Sequence, residues 1–474
     1  MGITEENQRL SSDERELRQR FCEAEQGHVF RFWDDLTADE RETLLAQLRT
    51  VDLQRLDRLV HAHLAEPLTS LLPEIKPAVV VSLAASAADA ARDRECSLLG
   101  EKELRAGRIA VLVVAGGQAS RLGYEAPKGS FPITPITRKS LFQVHAEKIV
   151  AMQRRYNCRI PFVVLVSPQN YRSTKEFFEQ EGFFGLDQGL VHFCEQGMLP
   201  AVDRDGRLLL AERGKIFLSP DGHGGVFRAL EEGGLVSALA AAGVDQVFYF
   251  QVDNPLVRVS DPVFLGHHVR ANADMSIKVV RKRDASEMVG VLAMLDGKPG
   301  IVEYSDLPEQ LRSASDGEGN LLYWAGSIAI HVFRLDFIRS ISRGKIDLPY
   351  HVARKRVPFL NERGDYVQPS EANGFKFEAF VFDALAFARR VVAIEVKREE
   401  EFAPVKNKSG EDSPQTSIEL QSRMFRSWLD DAGVSDLGDG VQVEVGPLFA
   451  LDREELKVKL EASRWCGVRR ILLE

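Results

Sequence analysis

Several features that mark whole protein classes are scarce or missing in this sequence. The five cysteines, Cys22, Cys96, Cys158, Cys194 and Cys466, are odd in number, scattered and free of any CxxC pair. That pattern excludes a disulfide framework and a thiolate zinc site. His267 and His268 are adjacent, the other histidines are dispersed, and no HExxH occurs, so a catalytic zinc is not expected. Basic residues, 61 in number, trail 70 acidic ones for a net charge of −9. The overall balance therefore offers no footprint for nucleic acid or an anionic membrane. No apolar run approaches the roughly 20 residues of a membrane span. The start, MGITEENQRLSSDERE, is polar and reads as no secretory leader, and Glu6 stands where N-myristoylation wants Ser or Thr. A GxSxG elbow is also missing, and the cysteines have no His partner in sequence, so nucleophilic acyl chemistry lacks support. What is left suits the reducing cytoplasm, in a chain of 474 residues with room for a large α/β domain and smaller modules.

What is present centres on Ile109 to Phe131, IAVLVVAGGQASRLGYEAPKGSF. The run Ile109 to Val114 has the β-branched composition of a buried parallel strand. It breaks at Gly116 and Gly117, where bare backbone N–H groups can approach an anion. Arg121 and Lys128 follow with fixed positive charge for phosphate oxygens. The stretch is neither the GxxxxGK phosphate loop nor the GxGxxG dinucleotide fingerprint. Its two readings are an ordinary strand-to-helix turn and a nucleotide site, and the ordered Arg, Pro and Lys favour the second.

Residues 1–105 read as a helical appendage. Thr37 to Glu40 form a capping box before Leu44, Leu45 and Leu48. A second helix carries Leu53, Leu56, Leu59 and Val60, followed by a proline-punctuated link from Pro67 to Pro77. Residues 106–402 alternate short apolar strands with helical segments, which predicts an α/β fold around a mostly parallel sheet. Expected strands are Ile109 to Val114, Ile160 to Val166, Val247 to Phe250, Met275 to Val280, Val289 to Leu295, Gly300 to Tyr304 and Ser327 to Phe333. The polar stretch APVKNKSGEDSPQTS marks a boundary to a C-terminal module, 403–474. That module is expected to hold a helix around Ile418 to Asp431, a β-rich part and a closing helix.

Asp253 lies just past an apolar strand, where open α/β sheets bind ligands. It is placed either to hold a Mg²⁺ that bridges phosphates or to cap the turn before Pro255. The loop SPDGHGG, with Gly222 and His223, leaves room for a flat ligand, or is simply a turn. Gln196 can pair with a base edge or face solvent. Glu303, with Tyr304, ends a strand and suits sugar hydroxyls or water. Phe375, Phe377, Phe380 and Phe382 read first as core, with some available to wall a pocket. Lys376 and Lys406 fit a phosphate or an ordinary surface.

Taken in order, the motifs AGGQASRLGYEAPKG, EQGMLPA, SPDGHGGVFRAL, QVDNPLVRVSDPVFLG, GIVEYSDL and NGFKFEAFVFDALAFA resemble the eukaryotic-type UDP-sugar pyrophosphorylases, most closely the UDP-N-acetylhexosamine branch. The resemblance runs from VFRFWDDL to FAPVKN. It implies a Rossmann-like, GT-A-like nucleotidyltransferase sheet and the reaction of UTP with a sugar 1-phosphate to give a UDP-sugar and pyrophosphate, with Mg²⁺. By resemblance, Ala115, Gly116 and Gly117 hold the nucleotide, and Arg121, Lys128 and Lys406 meet the phosphates at the reacting centre. Gln196 and Gly222 read uracil, Asp253 binds the metal, and Lys376 contacts UTP. His223, Asn254, Gly290, Glu303, Ser327, Phe380 and Phe382 line the sugar site. Three positions depart from the pattern. Ala119 and Ser120 replace the usual Gly-Thr, which requires a negative φ at 119. His223 and Ser327 each stand where Asn is usual, which bears on the choice of sugar and not on uridylyl transfer. The rival readings are a UTP–glucose-1-phosphate uridylyltransferase, a UDP-sugar glycosyltransferase, disfavoured because Val252-Asp253-Asn254 is not Asp-x-Asp, and a non-enzymatic nucleotide-sugar sensor.

Overall fold

The computed structural model describes residues 12–64, 73–434, 437–438, 440–460 and 470–474. Residues 1–11 of the polar start, most of the link after Pro67 and Cys466 lie outside the described residues. Contacts group the chain into two compact units. One comprises the described part of 1–72 with 197–225 and 348–381; the other comprises 73–196, 226–347 and 382–474. These bounds differ from the three consecutive segments expected from composition. Helix Ala87–Arg105 belongs to the larger unit because it packs along helix Pro262–Arg270. Glycine permits that close approach: a Cβ on Gly266 would stand 1.7 Å from the Cys96 carbonyl oxygen.

The smaller unit is built as its sequence suggests. Thr37 caps helix Ala38–Thr50, and its side chain and that of Glu40 bond each other's backbone N–H groups. Such a cap contributes about 1 kcal/mol. The helix buries Leu44, Leu45 and Leu48 against Phe21, Phe30 and Trp33. Strand Gly374–Ala379 pairs with Tyr350–Lys355 and adds Phe377 to the same core, so this member of the phenylalanine series has the structural role first assigned to it.

The larger unit is organised by a ten-stranded sheet. In chain order its strands are β1 (Ile75–Pro77), β2 (Ile109–Val114), β3 (Phe162–Val166), β4 (Val191–Glu195), β5 (Gln246–Gln251), β6 (Met275–Arg281), β7 (Val291–Leu295), β8 (Lys298–Val302), β9 (Ala325–Arg334) and β10 (Val391–Glu395). The strands β5-β2-β3-β4 are parallel throughout, so their C-terminal ends share one edge. Both faces of this half are covered, which is why β2 reads as an unbroken apolar run with its first five residues buried. On the other side β9 pairs antiparallel with β5, β6 and β7. The expected strands occur with shifts of one or two residues at their ends; β1, β4 and β10 are additions.

In the C-terminal region, helix Pro414–Asp431 begins four residues before the expected Ile418. Pro414 reads as a break, yet it occupies the first helical turn behind the Ser413 cap, where its missing N–H costs nothing. Strand Gln442–Val445 pairs in parallel with Arg470–Leu473, and helix Arg453–Lys459 adds Leu456 to a local core with Met424, Trp428 and Val443.

Candidate active site

The C-terminal edge of the parallel strands carries the nucleotide candidates. At the end of β2, Ala115 N–H donates to the Leu165 carbonyl at 2.7 Å and its own carbonyl accepts Asn170 Nδ2 at 2.9 Å. Gln196 follows β4, two strands away, and its side chain reaches back over Gly116. A Cβ on Gly116 would lie 2.8 Å from Gln196 Oε1. Glycine at 116 thus leaves the room that this amide occupies. A Cβ on Gly117 would meet nothing within 4 Å. The turn closes when Lys128 N–H donates to the Gly117 carbonyl at 3.2 Å. Ala119 has φ −89°, so the departure at this position is accommodated. Arg121 is exposed and makes no ion pair among the described residues.

Asp253 stands two residues beyond β5, next to β2, and is buried. Its Oδ2 accepts Lys128 Nζ at 2.8 Å, and Oδ1 accepts no hydrogen bond from the described residues. Burial alone would raise this carboxyl, but the Lys128 and Lys406 cations outweigh it and hold the group below the usual carboxylate range. Lys406 is brought here by the Val405 N–H, which donates to the Asp253 carbonyl at 2.9 Å. Its half-exposed ammonium lies 3.6 Å from Asp412. Asp253 lies in the turn after β5 without capping it, since its side chain accepts from Lys128 and from no backbone N–H among the described residues, and the two lysines keep its carboxylate ionised.

On the antiparallel side, three sugar candidates converge. Ser327 N–H donates to the Gly290 carbonyl at 2.8 Å, and a Cβ on Gly290 would lie 3.6 Å from Glu303 Oε1. Asn254 is buried, with its carboxamide turned to the backbone: Nδ2 donates to the Glu401 carbonyl at 2.7 Å and Oδ1 accepts the Ala403 N–H at 3.0 Å. Phe382 is the second residue of the 3₁₀ helix Val381–Phe387 and is half-buried.

Gly222, His223, Lys376 and Phe380 belong to the smaller unit. Gly222 has φ +85°, and a Cβ there would lie 2.3 Å from the Ala379 carbonyl oxygen. A Cβ on Gly225 would stand 2.1 Å from Asp221 Oδ1. The space left by this glycine-rich loop is taken by the protein's own Asp221 and Ala379, not left open for a flat ligand. His223 Nδ1 accepts the Val381 N–H at 3.0 Å, and its ring stacks on Phe380, which stacks in turn on His351. Burial and then the neighbouring His351 push His223 down to about 4, so it is neutral. Lys376 Nζ sits 4.8 Å over the Phe217 ring, and burial lowers its pKa.

Sequence reasoning passed over three groups that support the site. Asn170 fixes Ala115; it lies in SPQN, which reads only as a turn. His145 Nε2 bonds the Val252 carbonyl at 3.0 Å beneath Asp253, from a helix with no motif. Lys278 is fully buried between Asp261, at 2.8 Å, and Glu401, at 2.7 Å. The one available signal for it was a lysine in the apolar strand MSIKVV.

Residues 83–427 match the family described as UTP–glucose-1-phosphate uridylyltransferase. The chain is similar to human UDP-N-acetylhexosamine pyrophosphorylase-like protein 1, at 35% identity over 489 residues with 96% of each chain covered. It is 34% identical to the UDP-N-acetylglucosamine pyrophosphorylase of Saccharomyces cerevisiae, covering 93% of this chain and 96% of that one. Among solved structures, the uridine diphosphate N-acetylglucosamine pyrophosphorylase of Trypanosoma brucei in complex with an inhibitor superposes with a TM-score of 0.84 at 28% identity, over 98% of this chain and 99% of that one.

Proposed function

Because this chain belongs to the UTP–glucose-1-phosphate uridylyltransferase family, we propose that it transfers a uridylyl group from UTP to an N-acetylhexosamine 1-phosphate. The products are UDP-N-acetylglucosamine or UDP-N-acetylgalactosamine, and pyrophosphate. One observation carries the chemistry: Lys128 and Lys406 flank the buried Asp253 carboxylate, one strand from the Gly116–Gln196 contact.

An oxygen of the sugar phosphate attacks the α-phosphorus of UTP in line, and the bond to the β-phosphate oxygen breaks as pyrophosphate leaves. The attacking phosphate is already ionised, so no general base and no covalent enzyme intermediate are required. The protein contributes positioning and fixed positive charge. The Gly116–Gly117 backbone holds the phosphates, Arg121 and Lys406 face their oxygens, and the Gln196 carboxamide reads the base. Gly290, Glu303 and Ser327 stand together for the sugar.

The residues fit a Mg²⁺. Asp253 is an ionised oxygen donor whose Oδ1 accepts no hydrogen bond from the described residues, and Mg²⁺ needs only one or two carboxylates when phosphates and water complete its shell. No cluster of three or more His, Cys, Asp or Glu suited to an all-protein metal site occurs among the described residues. Bound there, Mg²⁺ would neutralise charge on the phosphate oxygens. No helix among the described residues is long and apolar enough to cross a membrane.

A glucose 1-phosphate substrate is the second reading, favoured by His223 and Ser327, neither of which presents a carboxamide. The test is pyrophosphate release from UTP across a panel of sugar 1-phosphates. The N-acetylated sugars should give at least about tenfold higher kcat/KM than glucose 1-phosphate, a difference of about 1.4 kcal/mol. A reversed order moves the assignment to glucose. Tight UTP binding without release on any sugar phosphate points instead to a sensor.

A further inference from the structure

Between helix Arg398–Glu401 and Lys406 the chain runs through Phe402, Ala403, Pro404 and Val405 as neither helix nor strand, yet all four are buried. A buried irregular segment must find partners for its peptide groups outside itself. Here Asn254 supplies two. Its Nδ2 donates to the Glu401 carbonyl at 2.7 Å and its Oδ1 accepts the Ala403 N–H at 3.0 Å. Ser417 Oγ donates to the Ala403 carbonyl at 2.7 Å, and the Val405 N–H donates to the Asp253 carbonyl at 2.9 Å. Behind the strap, the fully buried Lys278 ammonium lies 2.7 Å from the Glu401 carboxylate and 2.8 Å from Asp261. Adjacent residues thus divide the work: the Asp253 carboxylate takes Lys128, and the Asn254 carboxamide clamps the segment that delivers Lys406.

We infer that Asn254, seconded by Ser417, is a positioning residue for uridylyl transfer, fixing the 401–405 strap so that Lys406 stands at the reacting phosphates. The Lys406 side chain cannot hold itself there. It is a flexible stem, half-exposed, whose nearest carboxylate is Asp412 at 3.6 Å. Its reach is set by its backbone: the Lys406 N–H donates to the Asp412 carbonyl at 2.6 Å on the far side, and on the near side the strap that leads to it is fixed by Asn254 and Ser417. The catalytic part of this inference rests on the uridylyltransferase reading; the clamp itself does not.

A double-mutant cycle with a hydrogen-exchange measurement tests both parts. Asn254→Ala should lower kcat by about 10- to 100-fold, as expected for a misplacement near 1 Å, with KM for UTP within about threefold. Amide exchange in the peptide covering 402–407 should rise. In a Lys406→Ala background, Asn254→Ala should add less than about threefold, because its effect travels through Lys406. Ser417→Ala loosens the same strap more gently; it should show the same pattern at about 3- to 10-fold, and it stands in if Asn254→Ala does not fold. Losses that multiply in the double variant overturn the positioning role, and unchanged exchange at 402–407 overturns the clamp. If the parent enzyme releases no pyrophosphate with any sugar phosphate, the reaction assignment fails while the exchange result still decides the clamp.

Discussion

Gly117→Ala separates what the protein needs from what its ligand needs. In the folded protein a Cβ at this position meets nothing within 4 Å, and the backbone is outside the left-handed region that favours glycine. Alanine also lowers the entropy of the unfolded chain, so the variant should be more stable by about 0.4–1 kcal/mol, a rise in Tm of about 1–2 °C. If the Gly117 backbone holds UTP, the same methyl group occupies the approach of a phosphate. Losing that contact at a cost of about 1.4–2.8 kcal/mol raises KM for UTP about 10- to 100-fold. Gly116→Ala gives the contrast, because its Cβ would lie 2.8 Å from Gln196 Oε1. The end of a flexible side chain can move aside, so stability should change little while the Gln196 carboxamide is displaced from the base. The assay is a thermal melt with UTP saturation kinetics on both purified variants. A Gly117→Ala enzyme with unchanged KM and kcat would refute the reasoning for the glycine turn.

Three further outcomes follow from the same geometry. Lys406→Ala and Arg121→Ala should each lower kcat by about 10²- to 10³-fold with Tm within about 2 °C, since each removes charge at the phosphates and neither side chain is buried; melting and steady-state rates check this. Lys278→Met removes the cation bonded to the buried Asp261 and Glu401, leaving Arg258 as their remaining positive neighbour, and should cost about 3–5 kcal/mol in denaturant unfolding. Burial, then the Lys148 cation, depresses His145 to about 3 from an ordinary 6.5, and burial depresses His268 likewise to about 3. A depressed histidine contributes stability that is whole above its unfolded pKa and is lost as pH falls toward the folded one. The free energy of unfolding should therefore decline from pH 6.5 downward, by roughly 3–5 kcal/mol per histidine near pH 3, with Tm falling alongside, and His145→Gln should flatten part of that decline.

Local rules made a good part of the fold legible. The strand Ile109–Val114 and the Thr37–Glu40 capping box follow from composition and spacing, and both are found as read. Strand β4, VHFCE, escaped because His192 and Glu195 break it into neither an unbroken apolar run nor a strict alternation. The smaller unit draws its strands from 197–225 and 348–381 and packs them on residues before 64, a long-range assembly that no window of sequence contains. The site divides in the same way. The charges Arg121, Lys128 and Lys406 and the acid Asp253 were visible as residue types, but the pairing of Lys128 with Asp253 and the seat of Gln196 over Gly116 depend on strand order. The glycines of SPDGHGG invited a ligand, whereas Asp221 and Ala379 explain their size requirement. Asn254 sits inside a recognised motif, yet its partners Glu401 and Ala403 come from far along the chain.

Asp253, Lys128 and Lys406 together mark the proposed centre for uridylyl transfer. Its most direct test is pyrophosphate release from UTP with N-acetylglucosamine 1-phosphate and Mg²⁺, comparing the parent enzyme with Asp253→Asn. Release should be rapid, require the sugar phosphate and fall at least about 100-fold in the variant. Release that persists in Asp253→Asn, or that proceeds equally well without the sugar phosphate, would contradict this assignment.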